Sequence, residues 1–389
     1  MRDDGRGGLK RLLVPVYGPA ALAMASLGVV TPILALLAID RGATPAHAAL
    51  VVGMLSVGGF VGALPSAVVV SRLGDRRSLA VALLIETVAI VAISAVRSPQ
   101  AMLAAAFVMG LAGAVVAVAR QSYLAIMVPM KIRGRALALL GGVFRGGSLV
   151  GALLAAGLLT VVSMEWTLLV AAALSGAAAV ATYVFVLPGE ASRADPGSKV
   201  TLWQPGFGRA FSTLGVGGAL VMLVRSSRDA LLPIWGSELG LSESVVSLVF
   251  AVSSAVDLSL FYVAGIVMDR YGRRAAVVPA MIIMGVSLLC LPLGGSLAWV
   301  LTVAVLLGLG NGLSSGAVMT IGVDAAPETA RAAFLAGWRL VTGIGQSSGP
   351  MVVAGVVGVA TAGAAASSVG VLGLGGALWL WRWLPGRQS

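Results

Sequence analysis

Charge, cysteine and histidine are scarce in this sequence. Asp, Glu, Lys and Arg make up 11% of the 389 residues, whereas a soluble domain has about 25%. The one cysteine, Cys290, and the one histidine, His47, leave no disulfide framework and no His-rich metal spacing within the chain. No nucleophile–base pair and no P-loop motif occurs. The sequence therefore predicts no enzyme, no cofactor and no metal site, and it gives no basis for an ATP-driven pump.

Hydrophobic residues are abundant instead, at 59% of the sequence. Apolar runs of roughly 20 residues recur along the chain, and a run of that length spans a hydrocarbon core about 30 Å thick. Because the core offers no water to the backbone, each run must fold as a helix. The sequence therefore predicts an all-α, multi-pass membrane protein surrounded by the lipid bilayer.

The apolar runs predict twelve transmembrane helices in two groups of six. The first group covers residues 12–39, 47–70, 78–96, 100–124, 136–160 and 166–187. The second group covers residues 210–235, 245–268, 275–294, 298–322, 333–357 and 363–384. A polar stretch with Pro, Gly and Ser separates them. We therefore predict an N-terminal six-helix bundle (1–187), a cytoplasmic linker (188–209) and a C-terminal six-helix bundle (210–389).

The two groups repeat each other at an offset of 198 residues. A charged segment at 265–274 is matched by a second one at 67–76. Further matched pairs are Gly110 with Gly308, Pro129 with Pro327, Arg133 with Arg331, Gly147 with Gly345, and Gly151 with Gly349. A chain that repeats itself over half its length is built from two equivalent halves. The sequence therefore predicts two pseudo-symmetric bundles.

The basic residues indicate the orientation of the chain. The formal net charge is +11, and 19 of the 26 basic residues lie in segments on one predicted side of the membrane. Loops on the other side hold Arg41 and Arg97. This asymmetry follows the positive-inside rule, so it predicts cytoplasmic termini and accounts for the charge without a nucleic acid partner. Segment 1–11 is basic and has no cleavage site, which predicts a cytoplasmic tail rather than a signal peptide.

The charged segment of the second half carries a motif. Its residues are Gly265, Asp269, Arg270, Gly272, Arg273 and Arg274. Twelve helices in two halves, with this G-x-x-x-D-R-x-G-R-R segment after the second helix of a half, resemble the major facilitator superfamily of secondary transporters. The resemblance implies that fold, a monomer, a prokaryotic cytoplasmic membrane and a gating role for the segment. Gly265 is expected to permit close helix contact.

The first-half copy of the segment departs from the family pattern. It keeps Arg72, Gly74 and Arg76, while Ala67 and Ser71 replace the glycine and the aspartate. Asp75, at a position that is usually basic in the family, is a candidate to compensate for the missing aspartate.

The acids of the second half predict a charge latch, that is, a set of ion pairs that holds the cytoplasmic side of the protein in one conformation. Asp269 can pair with Arg270 or Arg273 and can lie near the positive N-terminus of a helix. Asp324 adds a second acid, and its match at the 198 offset is Ile126. The latch should therefore be stronger in the second half. The alternative is a solvated basic loop with no gating role.

Small residues in the fifth and eleventh helices form a third element. Gly345, Gly349 and Pro350 in the eleventh helix correspond to Gly147 and Gly151 in the fifth. They are similar to the glycine–proline motif that antiporters of the family carry in the fifth helix. Proline removes a backbone hydrogen bond and bends a helix, so we expect a helix-bend motif. The alternative is simple close packing.

Three acids fall inside predicted helices: Glu86, Asp229 and Asp257. An ionisable group at mid-membrane costs several kcal/mol and normally faces the bundle interior. Arg225 lies four residues before Asp229, so the two share a helix face and are expected to pair. Arg228 then needs another partner.

The same acids are the candidates for proton coupling. Asp257 lies near the bilayer centre with Ser253 and Ser254 one turn before it, and it is the first candidate. Glu86 is the second and Asp229 the third. The alternative is that each acid merely neutralises an arginine.

Polar residues inside the helices are the candidates for substrate contact. They are Arg145, Arg225, Arg228, Asp229, Arg339 and Gln346. Trp338 and Ser347 lie beside the last two. The excess of basic groups favours an anionic or zwitterionic substrate.

These observations predict a secondary active transporter that works by alternating access. The segment from Arg120 to Pro129, followed by Arg133 and Arg135, resembles the drug and metabolite efflux branch of the family, so proton antiport of a small organic molecule is the first hypothesis. Proton symport or facilitated uptake of a metabolite is the alternative within the class. A non-transporting membrane sensor or scaffold with the same fold is the alternative outside it.

Overall fold

The computed structural model describes residues 16–127, 130–186 and 207–385. The predicted N-terminal tail (1–11), Pro129 and residues 188–206 of the predicted linker lie outside the described residues, as do the side chains of Ile126, Arg133 and Arg135. Within the described residues, twelve helical segments are long and apolar enough to cross a membrane. The prediction of an all-α protein with twelve transmembrane helices is therefore confirmed.

Six helices form the first half. They are α1 (Gly18–Asp40), α2 (Pro45–Leu73), α3 (Asp75–Ala95), α4 (Pro99–Met127), α5 (Met130–Leu158) and α6 (Met164–Phe185). By its internal contacts the chain divides into two compact units, Met1–Gly42 with Met54–Ser198 and Ala43–Gly53 with Lys199–Ser389.

Seven helices form the remaining six spans of the second half. They are α7 (Val216–Glu238), α8 (Glu243–Tyr271), α9 (Arg273–Cys290), α10a (Leu297–Leu313), α10b (Ala317–Ala325), α11 (Arg331–Val359) and α12 (Ala362–Trp383). A helical turn and a π-helical turn, Phe207–Ala210 and Phe211–Gly215, lead into α7. Hydroxyl side chains cap three of these helices, because the N-cap oxygens of Ser242, Ser296 and Thr361 each accept a backbone N–H three residues on.

The two charged segments lie on helix ends, and not in the loops predicted for 71–77 and 269–274. Helix α2 continues to Leu73 and α8 to Tyr271, and a single glycine follows each. Gly74 has φ of +77° and Gly272 has φ of +89°, a region that side chains other than glycine rarely adopt. These two glycines therefore turn the chain directly from one transmembrane helix into the next.

The internal repeat is present in the packing as well as in the sequence. A Cβ atom added to Gly147 would lie 2.8 Å from the carbonyl oxygen of Ala21, and one added to Gly345 would meet the carbonyl of Ala219. Ala21 and Ala219 are themselves 198 residues apart. The same holds for two further pairs of contacts: Gly151 on Ala25 with Gly349 on Leu223, and Gly110 on Leu55 with Gly308 on Ser253. Small residues thus bring equivalent helix backbones into contact in both halves.

Arg41, directly after α1, caps the end of α3. Its guanidinium donates to the carbonyl oxygens of Ile93 and Ser94, each at 2.6 Å, and to that of Val96. A carboxylate oxygen of Glu165 lies 3.7 Å away, and the Arg41 side chain is 8% exposed. Carbonyls at a helix C-terminus lack intrahelical partners and carry partial negative charge. Arg41 is therefore a structural clamp that joins α1, α3 and α6 of the first half.

Candidate functional site

The tenth span is broken in its interior, where the sequence predicts one continuous helix over 298–322. Helix α10a ends at Leu313 and α10b begins at Ala317. Gly316 has φ of +75°, which reverses the local backbone and interrupts the helix. The hydroxyls of Ser314 and Ser315 donate to the carbonyl oxygen of Asn311 at 3.0 and 3.1 Å. Side-chain bonds of this kind compete with the helix and stabilise the break.

Asp257 lies beside this break. Its carboxyl group is buried, with 8% of the residue exposed, and its Oδ1 accepts a hydrogen bond from the Ser315 hydroxyl at 3.3 Å. Glycines of α10a hold the two helices together here, because a Cβ added to Gly312 would lie 3.0 Å from the Asp257 carbonyl oxygen. Interrupted transmembrane helices are the usual places for ion and substrate sites in transporters. The sequence indicated Asp257, but it did not indicate Ser315.

Arg228 connects α7 to the same face of α8. Its Nε and Nη2 donate to Oδ1 of Asp229 at 3.4 and 3.5 Å, and its Nη1 donates to the Ser253 hydroxyl at 3.3 Å. Ser253 is one turn before Asp257 on α8. The adjacent Arg228 therefore bonds Asp229 directly, and the charge of Arg225, the predicted partner, also acts on this carboxylate.

These groups form one polar cluster within the second half. The α8 cluster, as we call it, consists of Arg228, Asp229, Ser253, Asp257 and Ser315. It combines two carboxylates, one guanidinium and two hydroxyls from α7, α8 and the break in the tenth span. Groups of this kind can hold and exchange a proton or bind a charged solute in a membrane interior.

The first half places its acid differently. Glu86 on α3 interacts with the charge of Arg120 on α4, and its Oε1 lies 3.4 Å from the position that a Cβ at Gly113 would take. Arg120 is 5% exposed, and its guanidinium lies 5.4 Å from the centre of the Phe144 ring. The arrangement agrees with the alternative in which Glu86 neutralises an arginine.

The remaining substrate candidates are spread over α5 and α11. Arg145 is half-buried and donates to the carbonyl of Gly141 at 3.2 Å, while Arg339 and Gln346 are exposed. Trp338 is 3% exposed, and its indole N–H donates to the carbonyl of Val318 at 3.0 Å. The indole of Trp338 is therefore engaged in holding α10b, where it also lies against Gly322.

The predicted pairing of Asp269 takes place with Arg273. Arg273 Nε lies 2.8 Å from Oδ2 of Asp324, and its Nη1 lies 3.8 Å from Oδ1 of Asp269. Nη1 also donates to the carbonyl of Met268 at 2.9 Å. Arg273 therefore ties the end of α8 and the start of α9 to the end of α10b. Exposed pairs of this kind contribute about 1 kcal/mol or less.

The acid of the first-half charged segment, Asp75, makes a different contact. Asp75 is buried, at 5% exposed, in the first turn of α3, where the helix N-terminus favours a carboxylate. It accepts a hydrogen bond from the side chain of Ser122 on α4. The expected close contact at Gly265 is wrong, because a Cβ there would meet no atom within 4 Å in the described part of the chain.

One contact of the charged segments was missed by sequence reasoning. The guanidinium of Arg76 lies 4.4 Å from the centre of the Tyr183 ring, and that of Arg274 lies 3.7 Å from a ring of Trp381. Tyr183 and Trp381 are 198 residues apart, as are the two arginines. The presence of an aromatic residue at both positions, Tyr183 and Trp381, was the sequence signal from which this contact could have been predicted.

The glycines at 147, 151, 345 and 349 serve close packing. Gly349 illustrates this, because an added Cβ would lie 2.5 Å from the carbonyl oxygen of Leu223 on α7. Pro350 lies inside α11, which is continuous from Arg331 to Val359. The packing alternative accounts for the glycines, while a bend at Pro350 stays a prediction.

The two repeated six-helix halves with buried charges are the architecture of a membrane transporter. The Major Facilitator Superfamily model matches residues 20–224 and again residues 214–389. The chain therefore belongs to the major facilitator superfamily, and the relatives found by structure are transporters rather than enzymes.

Solved structures of similar fold carry different cargoes. They include the nucleoside transporter NupG (TM-score 0.74, 12% identity, covering 98% of this chain and 100% of that one). A POT family transporter in complex with 5-aminolevulinic acid has a TM-score of 0.77 at 13% identity, covering 97% and 96%. A D-xylose-proton symporter has a TM-score of 0.73 at 13% identity, covering 97% and 98%. Identities this low establish the shared fold alone. Among curated protein sequences, none matches this chain.

Proposed function

We propose that this chain is a secondary active transporter that exchanges a small organic molecule for protons, and that Asp257 carries the proton. The proposed mechanism is alternating access, as in other transporters built from repeats. The observation that carries the proposal is the bond between Asp257 and the Ser315 hydroxyl beside a broken helix.

The described contacts of the three acids include two kinds of donor. Glu86 and Asp229 each face an arginine, Arg120 and Arg228. A guanidinium has donors only, so it stabilises a carboxylate and offers nothing to a carboxylic acid. The hydroxyl of Ser315 can donate to the carboxylate of Asp257 and can equally accept from the protonated acid. This contact of Asp257 therefore suits both protonation states of the acid.

The substrate contacts belong to the proposal as well. Arg145, Arg225, Arg339 and Gln346 are the candidate side chains, together with Arg228 and Asp229 of the α8 cluster. The surplus of guanidinium groups favours an anionic or zwitterionic molecule, because each arginine can bind a carboxylate with two parallel hydrogen bonds.

Proton release is the direct test. We expect purified wild-type protein in weak buffer to release protons when a substrate is added from a panel of organic anions and zwitterions. Asp257→Asn should abolish this release because the amide has no proton to give up. Glu86→Gln is the matched control and should retain release, since it removes an acid that faces an arginine and that is no candidate for substrate contact. Asp229→Asn is a second control, measured at saturating substrate because Asp229 is a candidate substrate contact, and it should retain release as well.

Two results would count against the proposal. If release persists in Asp257→Asn and disappears in one of the control variants, that other acid carries the proton. If no compound of the panel releases protons from wild type while binding is detected by calorimetry, the protein is a facilitator and the acids serve as partners of arginines.

Proton symport is the second candidate, because one of the structural neighbours is a D-xylose-proton symporter. Reconstituted vesicles separate the two directions. An inside-acid pH gradient should drive substrate uptake by an antiporter, whereas an inside-alkaline gradient should drive it by a symporter. A protein that binds ligand and moves none under either gradient would instead be a sensor or scaffold.

The location follows from charge. We propose cytoplasmic termini, since 19 of the 26 basic residues lie on that predicted side. A prokaryotic cytoplasmic membrane and a monomer are proposed from the family resemblance.

A further inference from the structure

We propose that the second half binds an anionic phospholipid at its predicted cytoplasmic surface, in a site formed by Arg274, Trp381 and Arg382. The two arginines bind the phosphate of the lipid headgroup, and an acyl chain follows the exposed face of α12 towards the bilayer centre. The lipid site, as we call it, contains none of the candidate cargo or proton-coupling residues. Its test is therefore independent of the proposed function.

Arg274 and Trp381 are joined by a stacking contact. The guanidinium carbon of Arg274, in the first turn of α9, lies 3.7 Å from the centre of a ring of Trp381, near the end of α12. A guanidinium stacks on an aromatic ring through its flat face and keeps its five N–H donors at the edge. The neighbouring Arg273 makes the ion pairs with Asp269 and Asp324. Arg274 takes part in neither pair, so the edge of its guanidinium is available to an anion.

The end of α12 is held in place beside this pair. The indole N–H of Trp379 donates to the carbonyl oxygen of Thr213 at 2.8 Å, which ties α12 to the π-helical turn before α7. Arg382 follows Trp381 directly and is exposed, and its guanidinium carbon lies 5.1 Å from the centre of the Trp383 ring. Trp381 and Arg382 therefore extend from a helix end whose position is already fixed, which lowers the entropy that binding a ligand would cost.

Helix α12 exposes an apolar face that leads from this pair into the membrane. Leu378 and Val371 precede Trp381 at helical spacing, and the three side chains are 72%, 60% and 59% exposed. The helix from Val371 to Trp381 rises by about 15 Å, which is half of a hydrocarbon core about 30 Å thick. The exposed face is therefore as long as one leaflet is deep, and it offers an acyl chain a continuous apolar contact.

The chemistry of the lipid site fits a lipid with a net negative headgroup. Tryptophan rings lie at the headgroup level of a bilayer, and a guanidinium binds a phosphate group with two parallel hydrogen bonds. Basic residues at the cytoplasmic surface each strengthen the binding of anionic lipid about fivefold. A zwitterionic headgroup presents the same phosphate together with an ammonium group, which Arg274 and Arg382 repel. The lipid site should therefore select an anionic lipid over a zwitterionic one.

Native mass spectrometry of the detergent-purified protein measures lipid binding directly. The probes are dioleoyl phosphatidylglycerol, which is anionic, phosphatidylcholine with the same chains, and glycerol 3-phosphate, which has the phosphate without the chains. We expect wild type to bind phosphatidylglycerol about tenfold or more tightly than phosphatidylcholine, because two arginines contribute to the difference. Equal binding of the two lipids would overturn the lipid site. Displacement of phosphatidylglycerol by equimolar glycerol 3-phosphate would overturn it as well, since the ligand would then be a free phosphate.

Arg274→Ala and Arg382→Ala are the decisive variants, and each should weaken phosphatidylglycerol binding about fivefold. Arg331→Ala is the matched control, because it removes an exposed basic residue from the start of α11 on the same predicted side, and it should bind as wild type does. If Arg274→Ala does not fold, Arg274→Lys replaces it, since lysine keeps the charge and loses the planar fork; a weaker affinity is expected there too. Unchanged affinity in the Arg274 and Arg382 variants, or an equal loss in Arg331→Ala, would overturn the lipid site.

The position of the bound lipid needs its own measurement, because the first half repeats the stacked pair with Arg76 at 4.4 Å from the centre of the Tyr183 ring. Phosphatidylglycerol with a photoreactive diazirine on one acyl chain is cross-linked to the protein, and the labelled peptides are identified. We expect label on α12 between Val371 and Trp381, and its loss in Arg274→Ala. Label that is absent from α12, or that persists there in Arg274→Ala, would overturn the assignment of the lipid to this site.

Discussion

The two halves of the molecule share a backbone plan and differ in where they place charge. In the second half, Arg273 bonds Asp324 and lies near Asp269. At the matching positions of the first half stand Asp75, Ile126 and Ser71. The charge at the position of Arg273 is therefore opposite in the first half, where Asp75 stands.

The interior charges differ in the same way. Asp257 and Arg228 of the second half correspond to Gly59 and Val30, while Glu86 and Arg120 of the first half correspond to Met284 and Val318. Helix α4 is continuous from Pro99 to Met127, whereas its counterpart is broken. The comparison indicates that close glycine contacts between helix backbones are common to both halves, whereas the charged residues at matched positions differ between them.

Disturbing the glycine contacts that both halves share should have the largest effect on stability. Gly151→Ala and Gly349→Ala each place a methyl group against a carbonyl of a neighbouring helix, and overpacking of this kind costs about 1–3 kcal/mol or more. We expect the melting temperature in detergent to fall by several degrees, equally in the two halves. Gly146→Ala and Gly355→Ala are controls on the same helices, since nothing lies within 4 Å of the added atom. A melting temperature unchanged by the first pair would contradict the packing role.

Removing a feature of one half should have the next largest effect. Arg41 clamps α3 in the first half, and Leu239 stands at the matching position of the second. Arg41→Ala would leave the carbonyls of Ile93, Ser94 and Val96 without this donor, at a cost of about 1–3 kcal/mol. Arg97→Ala, which removes an exposed basic residue from the same predicted side, should be close to neutral. The measurement is the thermal shift of both variants, and equal shifts would refute the clamp.

The charge latch should give the smallest effect. Asp324→Asn removes the 2.8 Å contact of Arg273, and Asp269→Asn removes the one at 3.8 Å. We expect the first variant to lower the melting temperature by a few degrees at most, since an exposed pair contributes about 1 kcal/mol or less, and the second to lower it less. The doubly exchanged variant, Arg273→Asp with Asp324→Arg, should recover the wild-type melting temperature. The latch is excluded if Asp269→Asn and Asp324→Asn leave transport unchanged and Asp75→Asn abolishes it.

Sequence reasoning predicts the features that depend on composition and spacing. The number of helices, the repeat and the buried acids all follow from long apolar runs interrupted at fixed intervals. The helix ends at Leu73 and Tyr271 were predicted too early, because charged residues were taken to mark the start of a loop. A helix can instead continue past the membrane surface. The turn needs only the positive φ of Gly74 and Gly272.

Side-chain partners are harder to predict because they depend on reach and on the neighbouring helix. Spacing of four residues favoured Arg225 for Asp229, yet the adjacent Arg228 also bonds this carboxylate while its Nη1 donates to Ser253 of α8. The break in the tenth span left a signal in the run of Asn311, two serines and Gly316, since polar residues with a glycine are unusual within an apolar span. Trp338 gave no such signal, because an indole near a helix end fits substrate contact and packing equally well.

The glycine contacts record the origin of the chain. In each half an added methyl group would strike the backbone of the same partner helix at the same relative position, so a change at one site has to be answered by a shift of a whole helix. The charged side chains are under no such restraint, and they differ at the matched positions of the two halves. Positions such as Gly110 and Gly308 can therefore align the two halves even where the surrounding residues differ.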